Sequence, residues 1–171
     1  VWSAIGATMQ AHLSKTDPAA SADTLGQARL DFLRGDRNRE GSPFRVRSSL
    51  LGDIVNSNVT FLGTPSLGYT GSGYAAFKTA YKARTPAVFA GANDGMLHAF
   101  NATNGDELFA YIPSWLAPRL SAIAETSFVN SHQVYVDAPS TVGEAQVAST
   151  GAATDWKTVL VSGAGGGGPG V

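Results

Sequence analysis

Apolar residues recur at helical spacing near the start of the chain and alternate through its middle, and this change of period divides the predicted elements. Trp2, Ile5, Met9 and Leu13 follow a helical rhythm until Asp17-Pro18 interrupts it. A second helix is predicted from Ser21 or Asp23 as N-cap, with Leu25, Ala28, Phe32 and Leu33 on one face and Gly35 placed to end it. Across residues 85–113 the pattern becomes three short strands at 87–91, 96–101 and 107–112. Asn93-Asp94-Gly95 and Thr103-Asn104-Gly105 are the turns, because Asp-Gly and Asn-Gly supply the positive φ that hairpins demand. The middle strand carries Met96, His98 and Phe100 on one face and Leu97 and Ala99 on the other, so neither face is built for water. A meander covered on both faces by other sheets fits a propeller blade better than a free hairpin.

The layout repeats. Residues 53–63 followed by 85–96 match 137–145 followed by 157–171: a strand, an insertion, then a strand ending in a Gly-bearing hairpin. The hairpin glycines Gly91 and Gly163 lie farther apart than the about 40–45 residues of a compact blade. The excess is assigned to a Gly-, Ser-, Tyr- and Ala-rich loop at 65–82 and to a short helix within 114–130, where Leu116, Leu120 and Ile123 keep helical spacing. The predicted fold is therefore mainly β. Residues 1–43 form a helical lead-in, and 44–171 form an incomplete β-propeller of about one and a half quinoprotein-like blades with helical and loop insertions. Residues 163–170 read as a turn and Val171 as the first residue of a return strand. With no initiator Met and too little sequence for a whole propeller, the chain reads as a piece of a larger protein truncated at its C-terminus, any secretion signal lying outside it.

The string GANDGMLHAFNATNGDELFAYIP (91–113) resembles the quinoprotein-type propeller repeat and, more narrowly, the β-propeller of the PilC/PilY family of type IV pilus biogenesis proteins and tip adhesins. LDFLRGDRNRE (30–40), FRVRSSLLGDIVNSN (44–58), VYVDAPSTVGEA (134–145) and WKTVLVSGAGGGGPGV (156–171) point the same way and stand in the family's order. Asn101 stands where the broad repeat usually has Asp, and Ala138 where the family usually has Gly. The resemblance implies a non-enzymatic role in assembling the pilus, opposing its retraction, attaching to surfaces and supporting twitching motility. It implies pilin and minor pilins as partners, together with a host or abiotic surface. The implied location is extracytoplasmic, at the pilus tip, the cell surface or the outer membrane. Calcium is implied elsewhere in the full propeller. The rivals are a pyrroloquinoline-quinone dehydrogenase propeller and a generic propeller binding module. The dehydrogenase would need a calcium-held cofactor, a catalytic Asp and a Trp near the blade end, where Phe109 stands.

Charge adds little: twelve Lys and Arg balance thirteen Asp and Glu, which speaks against a nucleic-acid partner. The one basic cluster, Arg34, Arg37, Arg39, Arg45 and Arg47, is interrupted by Asp36 and Glu40 and reads as a solvated loop. No run approaches the roughly 18 apolar residues of a membrane span, and there is no cysteine for a disulfide or thiolate site. Gly163, Gly165 and Gly168 match GxGxxG, yet Pro169-Gly170 follow where a dinucleotide site needs a helix. There is no Walker-type loop, no GxSxG and no EF-hand pattern. His12, His98 and His132 are far apart, and His98 reads as a hydrogen-bonded packing residue. Asn58 and Asn101 match glycosylation sequons but fit ordinary strand and turn use, and Asn101, Asn104 and Asp106 have hairpin spacing. No catalytic, cofactor or metal residue is assigned. One surface motif remains: Arg34-Gly35-Asp36 matches the integrin-recognition tripeptide, while Gly35 serves equally as a left-handed C-cap.

Overall fold

The structure, a computed structural model, describes residues 1–168; the predicted end of the turn at 169–170 and the return strand at Val171 lie outside the described residues. A short 3-10 turn at Trp2–Ala4 leads into helix α1 (Ala7–Leu13), and α2 (Gly26–Leu33) follows. Asp23 directs the start of α2, but from two residues before its Leu25 N-cap: its Oδ1 accepts the Leu25 N–H at 2.8 Å. Gly26 permits the close crossing of the two helices, since a Cβ there would sit 2.6 Å from Ser14 Oγ and 2.7 Å from the Trp2 ring.

Strands β1 (Thr60–Leu62), β2 (Ala87–Gly91), β3 (Leu97–Asn101) and β4 (Glu107–Tyr111) form one antiparallel sheet in chain order. The predicted meander is thus extended by a fourth strand contributed from residues 60–62. Both turns place only their glycines at positive φ, 93° at Gly95 and 80° at Gly105. A type I′ turn would need two successive residues at positive φ, and each turn has one. Ala99 pairs with Phe109 and Phe100 with Glu107, so Leu108 bulges from the edge of the sheet without a partner. The second sheet pairs β5 (Ser140–Gln146) with β6 (Trp156–Ser162) along seven residues each.

The cover of the first sheet differs from the prediction. One face does meet a sheet: Leu62, Phe89 and Ala99 pack against Val142 and Leu160. The opposite face meets the helical segments, with Met96 joining Leu30, Phe32 and Leu33 of α2 in the main core. That core also takes Leu13, Phe44, Leu116, Leu120, Ile123, Phe128, Tyr135 and Val136, so the helices and the meander share one interior.

The insertions depart further. Residues 65–82 are not a plain loop: α3 (Tyr74–Ala80) forms within them because Tyr74 and Phe77 bury against Trp156. Residues 114–130 are helical as predicted, but only α4 (Ala117–Leu120) is an α-turn, flanked by 3-10 turns at Ser114–Leu116, Ser121–Ala124 and Thr126–Asn130. The basic cluster is only partly solvated. Arg47 is buried, held by Glu40 at 2.7 Å and donating to the Phe32 and Asp36 carbonyls, with its guanidinium 3.6 Å from the Phe32 ring centroid. Arg45 donates to the Ile123 carbonyl and lies over Phe128. These two fasten the segment after α2 to the interior, which is why an Arg-rich stretch need not be surface.

Candidate functional site

Arg34, Gly35 and Asp36 close α2. Arg34 is the C-cap, and Gly35 follows at φ 100°. The Gly35 N–H donates to the Phe32 carbonyl and the Asp36 N–H to the Asp31 carbonyl, both at 2.9 Å. This is the two-bond Schellman pattern, and it accounts for the glycine without a receptor. Both charged side chains nonetheless face solvent. Asp36 Oδ1 accepts the Asn38 N–H at 2.7 Å, and the Asp36 carbonyl is held by Arg47, so the tripeptide sits on a fixed turn.

Next to this turn lies a cavity of about 590 Å³ bordered by Arg34, Gly35, Leu50, Asp94, His98 and Glu107. His98 is buried and stacks on Phe100 at 5.7 Å. Its Nδ1 lies 2.7 Å from Glu107 Oε1, and its Nε2 lies 3.1 Å from both carboxylate oxygens of Asp94. Burial by itself would lower the imidazole pKa, but the hydrogen bonds and charges of Asp94 and then Glu107 outweigh it, so the pKa is raised. Asp94 also accepts the Gly52 N–H at 2.7 Å and the Met96 N–H at 3.2 Å, while Asn93 binds Asp53 and receives the Tyr135 N–H. The turn between β2 and β3 is therefore the joint at which residues 48–59 and 131–137 meet the sheet. The sequence reading placed His98 correctly as a packing residue but missed both its acids; Asp94, four positions before it across a tight turn, was the available signal.

Among the described residues no group of three or more His, Asp or Glu side chains is placed to hold a metal. Asn104 bonds Asp106 and Asn101 accepts the Thr103 N–H, so these polar groups cap their own hairpin. After β6 comes a 3-10 turn, Gly165–Gly167, whose glycines serve close packing: a Cβ on Gly167 would collide with the Tyr135 carbonyl. No described helix is long and apolar enough to cross a membrane.

A sequential four-stranded antiparallel sheet with a second sheet against one face is consistent with part of a β-propeller. The chain belongs to the family described as the PilY1 beta-propeller domain, whose model matches residues 51–171. It is 39% identical over 183 residues to the type IV pilus biogenesis factor PilY1 of Pseudomonas aeruginosa strain PAK, an alignment covering 99% of this chain and 15% of that protein. A PilY1 homolog of Xylella fastidiosa strain Temecula1 is 37% identical over 174 residues, covering 96% of this chain and 14% of the homolog. The chain thus spans about one seventh of the length of these relatives. No solved structure matches.

Proposed function

We propose that the chain is one propeller blade and the start of the next in a non-enzymatic type IV pilus biogenesis factor, which supports pilus assembly, opposes retraction and carries adhesion and twitching motility. Identity at 39% across 99% of the chain to a protein of that name is the observation that carries this reading. The partners are pilin and minor pilins, the location is extracytoplasmic at the pilus tip, cell surface or outer membrane, and calcium is bound outside this segment. Spending the polar side chains on caps and loop joints supports a scaffold over a catalyst. The exposed Arg34-Gly35-Asp36 turn is the contact for an integrin-like receptor, its carboxylate reaching a receptor-held cation.

The test uses the intact protein in its own cells with Asp36→Asn. The amide keeps an oxygen for the Asn38 N–H and removes only the charge. Surface piliation and twitching should stay normal while binding to integrin-coated surfaces falls about tenfold, the scale of one lost charge-assisted contact. Unchanged binding removes the receptor reading alone. Deleting 85–113 should abolish piliation, and normal pili in that strain would overturn the biogenesis reading.

A further inference from the structure

A buried imidazole between two carboxylates can satisfy both only when each ring nitrogen carries a proton. His98 is so placed, with Glu107 at Nδ1 and Asp94 at Nε2. The two acids are unequal. Asp94 is nearly buried and takes two backbone N–H groups besides the histidine, whereas the Glu107 side chain is 49% exposed. When the ring loses one proton, the remaining one stays at Nε2 facing the buried acid. The Nδ1 lone pair then opposes the Glu107 carboxylate, which turns to water. Glu107 opens β4, an edge strand exposed along its whole length, and Leu108 beside it is the bulged residue with no partner in β3. The proton therefore acts where the backbone ladder is already broken.

We propose that Asp94, His98 and Glu107 form a pH-operated clasp that fastens the start of edge strand β4 to the body of the blade while both ring nitrogens of His98 carry a proton, and releases it as rising pH removes one of them. The other charge on this cavity is Arg34, after α2, which is positive and opposed to a second cation at His98. It sets how readily the clasp opens and leaves its direction unchanged. A raised folded-state pKa gives stabilisation that is complete below the ordinary histidine value and lost as pH rises through the folded value. Release would loosen the start of β4 and the Asn104 hairpin that precedes it.

Hydrogen exchange of the intact protein, read by mass spectrometry from pH 5.5 to 8.5 and corrected for intrinsic chemical exchange, tests this without a substitution. Protection of peptides covering 103–111 should fall about threefold or more with rising pH, while those covering 87–91 hold. Glu107→Gln supplies an amide N–H that a neutral Nδ1 accepts, so in that variant the 103–111 segment should stay protected at alkaline pH. Protection independent of pH in the native protein, or an equal loss in Glu107→Gln, would overturn the clasp.

Discussion

At the scale of single residues the interior is organised by buried arginines. Arg29 is almost fully enclosed, bonding Asp23 through both Nη atoms at 2.8 and 2.7 Å, Glu125 at 3.1 Å and the Leu13 carbonyl at 2.9 Å. It ties α1, α2 and the 3-10 region together with one side chain. Burial disfavours its charge, yet Asp23 and Glu125 more than offset that, and its pKa is raised. The reciprocal effect holds Asp23 below the usual carboxylate range, the Arg29 hydrogen bond being the largest cause. Arg29→Leu should therefore destabilise by about 2–3 kcal/mol, because two partly buried carboxylates lose their partner. Denaturant titration of the intact protein reads that loss. Since the folded Asp23 pKa is depressed, the pair's contribution is present above about pH 4, the unfolded value, and fades as pH falls through the folded value. In Arg29→Leu the difference from the native protein should shrink in acid.

At the scale of elements, legibility followed the range of the interactions that form each one. The strands around 93–95 and 103–105 were readable because their turn chemistry is local, and β2 matches the predicted bounds. Helix α3 was not readable from 65–82, since its stability comes from Trp156, distant in sequence. Tyr74 meets the Trp156 ring at 4.7 Å and Tyr69 stacks on it at 5.1 Å, while Trp156 Nε1 donates to the Ser72 carbonyl at 2.8 Å. Arg47 escaped for a related reason: composition marks it as polar, and only its packing on Phe32 and its bonds to Glu40 and the Phe32 carbonyl make it interior. Trp156→Ala should cost about 3–5 kcal/mol and melt α3 before the sheet. Hydrogen exchange over 74–80 should then rise toward the unprotected rate while 87–101 keeps most of its protection. A uniform loss across both segments would mean that α3 is not an independent unit.

At the scale of the whole molecule, the open question is what covers the apolar edges. Phe109 and Tyr111 on β4 and Val161 on β6 are at least half exposed, and with Leu97, Trp115 and Leu160 they border an apolar cavity of about 630 Å³. Contiguous apolar surface flanked by two strand edges that have no partner among the described residues favours association. The relatives are about seven times longer than this chain, and cover by adjoining blades is the expectation to be tested. Two measurements on one pair of substitutions separate that from a surface left free for partners. Phe109→Lys with Val161→Lys should raise the solubility of the isolated 171-residue polypeptide by removing the adhesive edge. In the intact protein the same pair should cost about 1–2 kcal/mol per site, because each side chain leaves a packed interface between blades. If the intact protein keeps its melting temperature and its pili but loses a binding partner, the edge is a docking surface and the blade is bounded elsewhere.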